Sequence, residues 1–336
     1  MLEKPTTDLH EKQGATRAGS PAATGHQWRR LPDSLPVTAK TSGHLWGYPE
    51  LLAQTHTSGW PFRMPRDSGA VDRRCGSWAM VGTCEHGHVY ARELICGRDW
   101  CPHCGQEDSK AHLRRKASWF PRVVQAVSMV YLVLTVPPEI RGRYRTKASL
   151  GKLGTAAKRM MQRQGFKRGL RRWHWFGEQR GQELREYHPH LNLLVDGRWL
   201  PKEQLAALRE SWARILGVDV SRVNLKARFC DTPRKILHRV KYITRATFLD
   251  WRWDEELARE LVGFRNSSTW GRWDEPPAWD LPASEEGWRS GYRVAMLEHG
   301  VCPEDGSAIV WGGIVRRVGA PTWRHLGAGY WMQQRK

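Results

Sequence analysis

The sequence predicts an α+β protein: an antiparallel sheet covered by helices and preceded by a small zinc-binding module. Apolar, β-branched runs alternate with helix-forming segments in the order β, α, β, β, α, β, α between residues 130 and 245, an order that builds a sheet with helices layered on it. Two of those strands are separated only by a Gly-containing turn, which implies a hairpin. Five of the seven cysteines crowd between Cys75 and Cys104. The N-terminus, M-L-E-K-P-T-T-D, lacks the apolar core of a secretion signal, so this crowding points to metal rather than to disulfides.

Each element has a local reason. Residues 1–70 are rich in Thr, Ser, Gly, Pro and Ala without periodicity and predict a flexible leader. The cysteine module with a basic helix over 110–116 follows, giving a segment 71–120. The run V-Y-L-V-L-T-V at 130–136 is a strand stopped by Pro137 and Pro138. Residues 149–168 have helix-forming composition. A strand at 173–178 pairs through the turn with the run entering at Tyr187. Pro201 opens a helix reaching Leu216, at a position where proline is tolerated. R-V-N-L-K-A-R-F at 222–229 alternates as a strand, and Thr232 caps a helix that starts at Pro233 and carries Tyr242. These elements delimit a segment 121–250, and 251–336 is a Trp-rich C-terminal region without a fixed period.

Lys and Arg exceed Asp and Glu by 54 to 34, a net charge of +20. Such a balance favours a polyanionic partner, nucleic acid before a membrane surface, because no lipidation motif occurs and the basic residues are not confined to one amphipathic helix. The longest apolar stretch, 123–136, is interrupted by Gln125 and Ser128 and is too short to span a bilayer. The expected location is the cytoplasm. Residues 141–172 hold twelve Lys or Arg and no acid. Arg159, Arg163, Lys167, Arg168, Arg171 and Arg172 in that stretch are the expected DNA contacts.

Three constellations carry chemistry. Cys96-x4-Cys101-x2-Cys104, with Pro102 in the last pair, has the turn spacing that brings thiolates to one tetrahedral zinc. Cys84 is the natural fourth ligand, Cys75 the alternative, and His86, His88 and His103 are rivals. A closed four-ligand site of this kind is structural. In Y-H-P-H-L-N-L-L-V, His188, His190 and Asn192 alternate along a strand and therefore share a face, while Leu191, Leu193 and Val195 share the other. With Glu178 from the preceding strand they form an imidazole and carboxylate set suited to Mg2+ or Mn2+ with phosphate oxygens; His174 is a rival. On the following helix, His238, Tyr242 and Arg245 lie at spacings that share one face. Arg245 can hold a phosphate bidentately and His238 can move a proton.

Together these motifs resemble an HUH-type single-strand DNA endonuclease, specifically a rolling-circle replication initiator (Rep) of plasmids or small phages. Y-L-V-L-T-V-P-P at 131–138, H-P-H-L-N-L-L-V at 188–195 and V-K-Y-I-T-R at 240–245 fit in the family's order, and C-G-S-W followed by C-G-R-D-W-C-P-H-C resembles its zinc-binding lead-in. The resemblance covers about 72–250. It implies a ferredoxin-like five-stranded antiparallel sheet, with the histidine pair on a central strand and the nucleophile Tyr242 on a helix facing it. It also implies nicking of single-stranded or hairpin origin DNA, leaving a 5′-phosphotyrosine and a free 3′-hydroxyl, later rejoining, and host helicase and polymerase as partners. The chain departs from the family where Asn192 replaces a third histidine, where His238 stands at a position that some relatives give to a carboxylate, and where Arg245 replaces a common lysine. An HUH transposase, which often carries two tyrosines on this helix, and a non-catalytic zinc-module DNA-binding protein are the alternative expectations.

Overall fold

Two antiparallel sheets, each of five strands and each built by the alternation of side chains along short strands, organise the chain. The computed structural model describes residues 75–176, 186–248, 254–280, 286–316 and 323–334, all within one compact unit. The expected leader and Glu178 lie outside the described residues. In chain order the elements are β1 (Trp78–Cys84), β2 (Val89–Leu94), α1 (Lys110–Val123), β3 (Met129–Thr135), α2 (Lys147–Arg163), β4 (Gly169–Phe176), β5 (Tyr187–Asp196), α3 (Lys202–Leu216), β6 (Leu225–Cys230), α4 (Pro233–Thr244), α5 (Glu255–Glu260), β7 (Ser267–Trp270), α6 (Glu286–Glu298), β8 (Ile309–Arg316), β9 (Trp323–Gly327) and β10 (Tyr330–Gln333). The α+β class and the helix-flanked antiparallel sheet are as the sequence predicts. No helix of the described residues is long and apolar enough to cross a membrane.

The second sheet runs β6-β3-β5-β4-β7. Its register places Tyr131 opposite Leu194, Val133 opposite Asn192 and Thr135 opposite His190, with His174 opposite His190 and Arg172 opposite Asn192 on the other side. Directly opposed residues in an antiparallel pair share a face. One face thus gathers Tyr131, Asn192, His190, His174 and Arg172. The other gathers Leu132, Leu134, Leu191, Leu193 and Trp173, which are buried against Leu153, Met160 and Met161 of α2 and Leu208, Trp212 and Leu216 of α3. Local signals set the helix limits: Thr232 accepts from the Lys235 amide ahead of Pro233, and Gly217 ends α3 at φ 68°.

The first sheet, β8-β1-β2-β10-β9, joins the cysteine-bearing hairpin to strands from the Trp-rich tail. Gly82 has to be glycine there, because a Cβ would meet Trp311 and Ile309 side-chain atoms at 2.7–2.9 Å. The tail also supplies β7 to the second sheet and α6 to α1, so in the described structure it completes both layers.

Candidate functional site

Helix α4 packs on the polar face of the second sheet, against β4, β5 and β6. It delivers Tyr242 into a cluster of rings. The Tyr242 ring lies 6.0 Å from Tyr131 and 5.7 Å from His174, His174 lies 5.2 Å from His190, and His190 lies 5.3 Å from His188. The Arg245 guanidinium sits 4.3 Å over the Tyr242 ring and Arg239 5.1 Å over Tyr131, within cation–π range. Burial raises the Tyr242 phenol above its usual value, opposed by the Arg239 cation and a hydrogen bond with Tyr131.

The histidines are neutral in this setting. Burial is the first cause in each case, and it pushes His190 down to about 4 and His188 to about 3, with the Arg141 and Lys226 charges adding to both shifts. His190 Nδ1 lies 2.9 Å from the His188 carbonyl. A carbonyl only accepts, so Nδ1 carries the proton and Nε2 keeps a lone pair for a cation. By the same reasoning His174 Nε2 donates to the Ile243 carbonyl at 2.9 Å, and its Nδ1 is buried without a protein partner. His190 Nε2 and His174 Nδ1 are thus the imidazole lone pairs left on this face, although His174, His188 and His190 do not bring their ligand atoms within 4.8 Å of one another.

Asn192 is placed differently from expectation. It is fully buried, and its Oδ1 accepts the Tyr131 hydroxyl at 2.6 Å. An oxygen engaged in that way positions Tyr131 and keeps a second lone pair. His238 is exposed on the turn of α4 before Tyr242 and stands outside the ring cluster.

The last carbonyls of α4, which the helix itself cannot satisfy, are held by donors from elsewhere in the fold. His112 Nε2 donates to Lys241 O at 3.0 Å, His174 Nε2 to Ile243 O, Arg115 Nε to Thr244 O at 2.9 Å and Arg172 Nε to Arg245 O at 3.3 Å. Burial pushes His112 down to about 4, consistent with a neutral ring that donates through Nε2 and accepts the Asp108 amide at Nδ1. Tyr242 therefore rides on a helix whose end is fixed from α1 and β4.

Arg172 also forms a buried pair with Asp99 at 2.5 Å, and Asp99 takes Asn266 at 2.6 Å and Trp175 Nε1 at 3.3 Å. Asp99 sits in the loop between Cys96 and Cys101, so the cysteine loop is latched onto β4. Arg168 is likewise buried, paired with Asp196 and Glu275 under the Trp273 ring. These two arginines are structural ion-pair residues and not the surface DNA contacts expected of them. Arg171 points to the apolar face, where its guanidinium occupies the space beside Gly154 of α2. Arg159, Arg163 and Lys167 are exposed, but α2 covers the apolar face, opposite Tyr242. Besides the buried, ion-paired Arg172, basic groups on the histidine side include Arg141, Lys226, Arg228, Arg239 and Arg245. Of these the sequence singled out Arg245 alone, although the alternation of Lys226 and Arg228 along β6 was the available signal.

The four-cysteine centre consists of Cys75, Cys96, Cys101 and Cys104, whose sulfurs all lie within 4.8 Å of one another. The Cys75–Cys104 and Cys96–Cys104 separations are 3.4 and 3.8 Å, near the roughly 3.8 Å edge of a tetrahedron with Zn–S bonds of about 2.3 Å. The cluster can hold a structural metal such as zinc. Its fourth ligand is Cys75 and not Cys84, for a geometric reason. Trp78 pairs with Leu94 across the hairpin, so Cys75 and Cys96 flank the same end. Cys84 closes the far end of β1, roughly 20 Å away at about 3.3 Å per residue. There it meets His88, Cys302 and Asp305.

Comparison with protein-family models, curated proteins and solved structures finds no match to this chain.

Proposed function

We propose that the chain is an HUH-type rolling-circle replication initiator that nicks single-stranded or hairpin origin DNA by tyrosine transesterification. The observation that carries this reading is the ring cluster itself: the tyrosine of α4 stands beside neutral histidines on a buried strand face, with arginines at both ends. Tyr242 Oη attacks the scissile phosphorus in line. The P–O3′ bond breaks, the 3′-oxygen leaves and takes up a proton, and the 5′-phosphate stays on the tyrosine. One phosphate ester replaces another, so the reverse reaction rejoins strands without ATP. His188 and His190, with His174 beside them, would hold Mg2+ or Mn2+, which when bound polarises the phosphate. Arg245 and Arg239 lower the cost of the phenolate that a buried tyrosine resists. A host helicase and a polymerase extending the 3′-hydroxyl are the partners a replication role implies.

The test incubates wild type, Tyr242→Phe and His190→Ala with end-labelled single-stranded origin DNA and Mn2+, and resolves covalent adducts on a denaturing gel. Wild type forms the adduct and both variants lose it. An adduct persisting in Tyr242→Phe overturns the nucleophile; no adduct with any single-stranded DNA in wild type overturns the reading.

A further inference from the structure

The end of the first sheet farthest from the four-cysteine centre carries a second convergence of ligand-type side chains. Cys84 and His88 flank the β1–β2 turn, C-E-H-G-H, and Cys302 and Asp305 lie in the segment C-P-E-D-G that precedes β8. Cys84 Sγ is 3.3 Å from His88 Nδ1 and 3.3 Å from Asp305 Oδ2, His88 Nδ1 is 2.9 Å from Asp305 Oδ2, and Cys302 Sγ is 3.6 Å from His88 Nδ1. A tetrahedral ion with bonds of about 2.0–2.3 Å to nitrogen, oxygen and sulfur needs separations of roughly 3.3–3.8 Å. The four atoms come together at nearly that spacing, from turns distant in sequence.

Two further features mark this as a built site. Cys302-Pro303-Glu304-Asp305-Gly306 repeats the plan of Cys101-Pro102-His103-Cys104-Gly105, with Asp305 in the place of Cys104. Both turns close alike, the glycine amide donating to the first cysteine's carbonyl at 2.8 Å in one and 2.7 Å in the other. The ligand atoms are also oriented from behind. Asp305 Oδ1 accepts from the Ser307 amide and hydroxyl, which turns Oδ2 alone toward the cluster. The His88 amide points at Cys84 Sγ at 3.4 Å, and the Tyr90 hydroxyl lies 2.9 Å from Cys302 Sγ. Such outer partners fix ligand geometry in metal centres.

We propose that Cys84, His88, Cys302 and Asp305 form a second, closed zinc site. Two thiolates, one imidazole and one carboxylate oxygen fill a tetrahedron and leave no open position, so the ion is structural. It fastens the β1–β2 turn to the segment entering β8 and locks the sheet at that end. His86 Nδ1 lies 3.1 Å from Asp305 Oδ2 but is largely exposed on the rim of the turn. It is not a ligand.

The experiment counts zinc by elemental analysis in freshly purified full-length protein carrying His190→Ala, so that no ion on the histidine strand contributes. About two ions per chain are expected, falling to about one in Cys302→Ser, in Asp305→Ala and in Cys101→Ser, and unchanged in His86→Ala. About one ion in the parent protein, lost in Cys101→Ser and retained in Cys302→Ser, overturns the proposal. Should the serine variants fail to fold, Co2+ replacement in the parent protein decides. A second equivalent that develops tetrahedral d–d bands and a thiolate charge-transfer band weaker than the first supports the site, and a second equivalent without them rejects it.

Discussion

The two faces of the second sheet share one strand and divide its labour. On β5, Leu191, Leu193 and Val195 are buried among α2 and α3 side chains, while His188, His190 and Asn192 look toward α4. The apolar face has no polar work to do and tolerates no gap. The polar face is nearly as dry, yet it is filled with imidazoles, hydroxyls and guanidinium groups that hold one another. A site can be preorganised in this way because its supports are hydrogen bonds and cation–π contacts fixed by a rigid core behind them.

The contrast can be broken hardest from the apolar side. Trp212→Ala removes a fully buried indole and the hydrogen bond it donates to the Thr135 carbonyl at 2.9 Å; a loss of about 3–5 kcal/mol is expected by denaturant unfolding. Asp99→Ala leaves Arg172 buried and unpaired and should cost a similar ~3–5 kcal/mol, while freeing the cysteine loop from β4. Its distinguishing readout is faster zinc release to a chelator than in wild type. Tyr131→Phe is milder, about 1–3 kcal/mol for leaving buried Asn192 unsatisfied, and should slow adduct formation because Tyr242 loses a hydrogen-bonding neighbour. Tyr242→Phe should abolish the adduct with almost no change in melting temperature, a split between activity and stability that no residue of the opposite face can give. The smallest effect tests charge: Lys226→Ala with Arg228→Ala should weaken single-strand binding and lower the salt slope by about 0.7 per lost phosphate contact. Arg159→Ala with Arg163→Ala on the far side should leave both unchanged. Equal losses from the two pairs would show that DNA wraps both faces.

Much of this face was legible in the chain. Alternation placed His188, His190 and Asn192 on one side of β5, and Thr232 with Pro233 located the start of the tyrosine helix, because both signals depend only on near neighbours. The role of Asn192 was not legible, since it is set by Tyr131 on another strand. Nor was the sorting of cysteines. Spacing groups Cys84 with Cys96, Cys101 and Cys104, but an intervening strand carries it to the other end of the hairpin, where its partners come from residues 302–305. The acid-free stretch 141–172 is limited in the same way: charge can be counted along a chain, but the side of the sheet on which α2 lands cannot. The strands of the first sheet stayed hidden because they pair segments from opposite ends of the described chain.

That last pairing sets an order of events during synthesis. The β1–β2 hairpin and its four cysteines leave the ribosome together, so the first metal centre can close at once. The strands that flank the hairpin, β8 and β10, emerge roughly 10–45 s later at about 5–20 residues per second. Through that interval the hairpin presents two unpaired edges, the state from which strands join the wrong neighbour. Early metal capture at Cys75, Cys96, Cys101 and Cys104 would keep the waiting hairpin in register until the tail arrives.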